Sequence, residues 1–165
     1  MIFPEFENSH IIDSIRQKYD PLAGLIRPHV TIVFPFEAEF DNGTIERILE
    51  RRLSEIKPFE LRVKGVSTQK SQFGNSLLLD VTKGADEIRK MHDILYANEF
   101  SDYDFGFEYV PHITVGNLPS AELLDKAYED IKDMDEEFVT TVKKISVEMI
   151  GENEESIIII EKELV

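Results

Sequence analysis

The chain has 165 residues, 42% of them hydrophobic, and a formal net charge of −15. That is enough apolar material for one real core, and the lack of cysteine excludes disulfides, thiolate metal sites and cysteine nucleophiles. The acidic balance disfavours a broad grip on nucleic acid. The charge is uneven: residues 47–70 hold seven Lys and Arg against three Glu, whereas 119–165 hold fourteen Asp and Glu against five Lys. No apolar run approaches a membrane span, and Met1-Ile2-Phe3-Pro4-Glu5 lacks a basic, then apolar, leader. The expectation is a cytoplasmic protein with no membrane partner; nothing in the sequence sets an oligomeric state.

In chain order, the first helix is expected near 9–19, with Ile11, Ile12, Ile15 and Tyr19 on one stripe. Val30-Thr31-Ile32-Val33-Phe34 reads as a strand. A second helix follows near 44–56. Phe59–Lys64 alternates cleanly, and Leu77–Val81 follows after a loop with Gly74 and Asn75. A third helix is expected near 85–97 and a strand over Val110–Val115. A fourth helix occupies 120–132, with Ser120 as its N-cap. Ile145, Val147 and Met149 alternate, and Ile157–Ile160 suits a strand buried on both faces.

This order repeats. Helix, Pro-His-x-Thr strand, helix, strand, strand occurs twice, with Thr82-Lys83-Gly84 between the copies. The expected fold is α+β: one domain over 1–165, duplicated and bilobal, with pseudo-two-fold halves about 1–83 and 84–165. Antiparallel-rich sheets would surround a central cleft, with the helices outside.

The chemistry is concentrated in Arg27-Pro28-His29-Val30-Thr31 and Val110-Pro111-His112-Ile113-Thr114. Composition alone gives an expectation of about 0.2 His-x-Thr triplets in such a chain; here two stand at matching places. In a strand, residues two apart share a face. His29 and Thr31 then point one way, and Val30, Ile32 and Phe34 the other; His112 and Thr114 oppose Ile113 and Val115. Converging imidazoles suit phosphodiester chemistry: one takes a proton from water, the other gives one to the leaving oxygen. The threonine hydroxyls can donate to the charged phosphoryl oxygens.

The paired motifs on a duplicated α+β frame resemble the two-histidine (2H) phosphoesterase superfamily, which includes 2′-5′ RNA ligase-like proteins and cyclic nucleotide phosphodiesterases. The resemblance covers nearly the whole chain and is closest to a bacterial branch of phosphoesterases. It implies catalytic roles for His29 and His112 and phosphate binding by Thr31 and Thr114. It also implies His112 as the base and His29 as the acid. Where ligase-like members carry a leucine and a basic residue after the second motif, this chain has Val115-Gly116-Asn117. The expected reaction is hydrolysis of a cyclic phosphodiester, such as a nucleoside 2′,3′-cyclic phosphate or a related small RNA-derived ester. The alternatives are 2′-5′ RNA ligation or cleavage, non-catalytic binding of phosphorylated nucleotides or RNA ends, and an interaction protein that has outlived its chemistry.

Four further residues are candidates for the pocket: Arg27, Lys70, Phe73 and Tyr109. Lys70 would neutralise a phosphate and Phe73 would stack on a base; packing is the plainer role for Tyr109. His10 and His92 lack a partner motif and read as structural or solvated. No metal or other cofactor is expected, because neither motif offers the three or four ligands zinc wants and no phosphate-cradling glycine loop is present.

Overall fold

Asn8 precedes the first helix, α1 (Ser9–Tyr19), whose inner face buries Ile12, Ile15 and, unexpectedly, Arg16. The structure, a computed structural model, describes residues 1–37, 40–72 and 74–165. Helix α2 (Asn42–Arg52) starts at Asp41, whose carboxylate accepts from Thr44 N at 2.8 Å. This Asx cap starts the helix at Asn42, two residues ahead of the expected position 44. Strands β1 (Phe59–Ser71) and β2 (Gly74–Lys83) form a long antiparallel hairpin. Helix α3 (Ala85–Tyr96) begins at Gly84, which has φ +88°; a Cβ there would stand 2.9 Å from the Glu60 carbonyl. β3 (His112–Leu118), α4 (Ala121–Ile131) and three strands follow: β4 (Phe138–Val142), β5 (Lys144–Ile150) and β6 (Ser156–Glu163). Ser120 caps α4 by accepting from Leu123 N, as the sequence predicts.

One sheet runs β3-β2-β1-β4, antiparallel throughout; the other pairs β5 with β6. Irregularities in the β1–β2 and β2–β3 registers bend the larger sheet. The smaller sheet is widened by the N-terminal residues. Met1 and Ser146 exchange backbone hydrogen bonds, and Ile2 does the same with Val30 at 2.9 Å each way. The first motif therefore lies beside the N-terminal residues that lead into α1, and the second beside β2, which leads into α3.

The core is the inner face of both sheets packed on the helices. Leu61, Val63, Leu77, Leu79, Ile113, Val115 and Phe138 meet Ile12, Ile88, Met91, Leu95 and Leu124, all essentially inaccessible. Helix α1 packs on β3 so closely that a Cβ on Gly116 would lie 3.0 Å from Tyr19 Cβ and 3.1 Å from Leu77 Cβ. The glycine after the second motif is thus a packing requirement.

Three expectations need correction. Val30–Phe34 is not a strand: only Val30 makes a bridge, the chain bends at Ile32 and Val33, and Phe34 is 37% exposed instead of facing inward. Its amide instead donates to the Tyr96 hydroxyl at 3.0 Å. β6 is not buried on both faces, because it belongs to a two-stranded sheet and Ile157 is 38% exposed. β4 was not anticipated; Phe138-Val139-Thr140-Thr141-Val142 is short and follows an acidic run that hides its alternation.

Candidate functional site

The site is built from how each motif enters its sheet. In β3, Ile113 and Val115 are fully buried, whereas His112 and Thr114 lie half-buried on the opposite face. In the first motif Val30 and Ile32 are buried, and His29 and Thr31 are half-buried. The expected alternation therefore holds across the four residues that matter, even without a continuous strand.

The two histidines have the same anchoring. His29 Nδ1 lies 2.9 Å from the Arg27 carbonyl, and His112 Nδ1 lies 2.7 Å from the Val110 carbonyl. A carbonyl can only accept, so Nδ1 carries the hydrogen in both rings. The neutral ring then has a bare Nε2 free to take a proton, and the charged ring has an Nε2–H free to give one. Burial pushes both rings below the ordinary histidine value of 6.5, against the opposing pull of the two anchoring carbonyls. Of the charged groups, Glu148 favours the charged form of His29 while Arg16 opposes it; Asp80 favours the charged form of His112.

Tyr109 joins the motifs. Its hydroxyl donates to the Thr31 carbonyl at 2.5 Å, so the residue three before His112 grips the first motif directly. Its ring lies flat on His92, with centroids 3.9 Å apart and planes 5° from parallel. Burial pushes the Tyr109 phenol well above its ordinary value, which keeps it a donor. His92 is buried on α3 and also meets Tyr96, so its role is packing, as the sequence suggested.

Arg16 was missed in sequence because arginine on an apolar helix stripe reads as a helix edge. It is buried beside Asp20 at 2.8 Å, and it donates to the Ile26 carbonyl at 2.7 Å and the Leu22 carbonyl at 3.3 Å. Those bonds tie the end of α1 to the turn that leads into Arg27-Pro28-His29. The signal was the Arg-x-x-x-Asp spacing, which places both side chains on one helix face.

The remaining candidates separate. Arg27 is exposed, with its guanidinium 4.7 Å from the Phe3 ring centroid, and Phe3 lies 5.9 Å from the His29 ring. Arg27 therefore borders the first motif. Lys70 does not join the site: it pairs with Asp125 of α4 at 2.7 Å. It sits opposite Asn75, which pairs with Leu118, six residues along β3 from His112. At ~3.3 Å per residue that is roughly 20 Å. Phe73 lies outside the described residues. Among the described residues no group of three or more His, Asp or Glu side chains forms a metal-ligand set, and no helix is long and apolar enough to cross a membrane.

Comparison with known proteins agrees with this frame. The family model described as the 2′-5′ RNA ligase superfamily matches residues 3–153. A Geobacillus kaustophilus protein is 33% identical over 149 residues, covering 87% of this chain and 82% of the relative. A Bacillus licheniformis protein is 29% identical over 134 residues, covering 79% and 74%. Both relatives carry the name "Putative phosphoesterase". A crystal structure of TT0787 from Thermus thermophilus shares the fold with TM-score 0.67 at 14% identity, covering 99% of this chain and 94% of that one. With the family model spanning most of the chain and both His-x-Thr motifs inside it, this protein belongs to the 2′-5′ RNA ligase superfamily.

Proposed function

We propose that the chain is a metal-independent phosphoesterase that hydrolyses a cyclic phosphodiester, with a nucleoside 2′,3′-cyclic phosphate or a related small RNA-derived ester as substrate. His29 and His112 exchange protons with the attacking water and the leaving oxygen. Thr31 and Thr114 donate to the non-bridging oxygens. The whole chain serves as one two-lobed unit, one motif from each half, acting in the cytoplasm on a small phosphodiester or on RNA ends.

The observation that carries this reading is the duplicated anchoring: two half-buried imidazoles, each with Nδ1 tied to the carbonyl two residues earlier, in motifs linked by the Tyr109–Thr31 bond. Neutral imidazole and imidazolium are the acid–base pair that in-line displacement at phosphorus needs, each worth about 10²–10⁴-fold. The names carried by the relatives support the phosphoesterase class, and the family's description keeps 2′-5′ RNA linkages as a second substrate type.

The test is a panel of 2′,3′-cyclic nucleotides, 3′,5′-cyclic nucleotides and 2′-5′ linked dinucleotides followed by phosphorus NMR with chelator present. Turnover of a 2′,3′-cyclic phosphate to a single monoester is expected. Turnover only of the 2′-5′ dinucleotides moves the activity to that linkage, and no turnover of any member refutes the hydrolase reading.

A further inference from the structure

His112 and Thr114 share their face of the larger sheet with side chains from β1 and β2. Residues paired across an antiparallel sheet project to the same side. His112 pairs with Asp80. Thr114 pairs with Leu78, which pairs with Ser67. A register shift in the β2–β3 pairing then brings Asn117 opposite Ser76, which pairs with Gln69. Three rows therefore lead from the second motif towards the β1–β2 turn. Two glycines keep the face open: an added Cβ would stand 3.5 Å from Asp80 Oδ2 at Gly65, and 3.0 Å from Asn117 Oδ1 at Gly74.

The polar groups of these rows are mostly uncommitted. Ser67 Oγ donates to Asp80 Oδ1 at 2.6 Å, but among the described residues the side chains of Thr114, Asn117, Ser76 and Gln69 have no hydrogen-bond partner. The cations are the reverse. Of the eighteen Lys and Arg, twelve are in ion pairs with carboxylates. On β1, Arg62 is held by Glu60 and Glu137, Lys64 by Asp135 and Lys70 by Asp125. The three rows hold hydroxyls, amides and one half-buried carboxylate, and no cation.

We infer that this face is the subsite for the uncharged part of the ester: Gln69, Ser76 and Asn117 hydrogen-bond the nucleoside beside the phosphate at Thr114, and Asp80 turns away a second phosphate. The substrate is then a mononucleotide-sized diester with one negative charge, and not the end of an RNA chain. The inference rests on the phosphoesterase reading and names the substrate class of that site. Hydroxyls and amides both donate and accept, as the edges of a sugar or base require. An RNA backbone is gripped by a cation at each neutralised phosphate, and these rows offer none. A second phosphate near Asp80 meets like-charge repulsion, which is stronger in a half-buried cleft than in water.

The experiment compares a nucleoside 2′,3′-cyclic phosphate with a short oligoribonucleotide ending in the same cyclic nucleotide, by steady-state kinetics and by calorimetric binding. At low salt, kcat/KM for the mononucleotide is expected to be about tenfold higher or more. The logarithm of its affinity is expected to fall with the logarithm of salt with a slope shallower than about −1, against about −3 to −4 for a grip on several phosphates. A steeper slope, or preference for the oligonucleotide, overturns the inference. In the double variant Gln69→Ala, Ser76→Ala, KM for the mononucleotide is expected to rise about fivefold or more at nearly constant kcat. Hydrolysis of ethylene cyclic phosphate, which lacks a nucleoside, is expected to stay within about twofold. An unchanged KM for the mononucleotide, or an equal loss on both esters, removes the subsite. Asp80→Asn keeps an acceptor for Ser67 and is expected to tighten oligonucleotide binding about threefold or more; unchanged binding removes Asp80 from the account. If the wild type turns over neither ester, calorimetry still reads the subsite. Mononucleotide binding weakened by the double variant then upholds the inference while the hydrolase reading falls, and binding of neither ligand overturns the inference.

Discussion

Tyr109→Phe removes one oxygen from the contact that joins the two motifs and leaves the ring on His92. The lost bond runs from the phenol to the Thr31 carbonyl, in a half-buried position. Net loss of such a bond costs about 0.5–1.5 kcal/mol, and the carbonyl left without its donor raises this to about 1–3 kcal/mol. For a chain of this length that lowers Tm by roughly 2–12 °C, at about 2–4 °C per kcal/mol. The functional cost is larger in proportion. A displacement of about 1 Å between reacting groups is worth up to ~10²-fold in rate, so a drop of roughly tenfold or more in kcat is expected from a hydroxyl that never touches substrate. Differential scanning calorimetry and steady-state kinetics on the same preparation measure both. A variant with wild-type kcat and a lowered Tm would show that the Tyr109 bond holds the fold but does not set the distance between the motifs. A variant unchanged in both would refute the link altogether.

Asp20→Ala leaves the buried Arg16 guanidinium without its carboxylate and should cost about 3–5 kcal/mol, seen as a Tm lower by roughly 6–20 °C. Thr31→Val and Thr114→Val keep the shape of the motifs but remove the hydroxyls. Each is expected to reduce kcat/KM by about 10–100-fold, and a change below twofold would remove that threonine from the phosphate site. The lowered pKa values of His29 and His112 have a consequence for stability. As pH falls through 6.5 the unfolded chain takes up protons before the folded one, so stability drops until the folded rings are charged. Denaturant titrations between pH 7.5 and 5 should therefore show a shallower decline in the double variant His29→Gln, His112→Gln than in wild type. Equal slopes would mean that the rings are as hydrated as in the unfolded chain.

The helices were legible because their signals are local. The apolar stripe of 9–19 and the Ser120 cap are statements about a few neighbouring residues, and both hold in the structure. The four motif residues were legible because period-two alternation survives wherever one face is buried, and Val30, Ile113 and Val115 bury it. What depends on distant chain was hidden. The first motif is not a strand because its partner is the two-residue stretch at Met1 and Ile2, too short to order Val33 and Phe34. β4 is defined by pairing to β1, some eighty residues away. Lys70 read as a phosphate ligand because the hairpin register that carries it away from His112 is invisible in sequence. Arg16 and Asp80 were passed over because an isolated charge is ordinarily a solvated one. Only the fold shows that Arg16 is enclosed and that Asp80 is the neighbour of an imidazole.

The most direct measurement is the hydrolysis rate of a nucleoside 2′,3′-cyclic phosphate by wild type, His29→Ala, His112→Ala and the double variant. If both rings serve one phosphorus, each single change lowers kcat by about 10²–10⁴-fold and the double variant is little worse than the poorer single one. Wild-type turnover in either single variant would contradict the account.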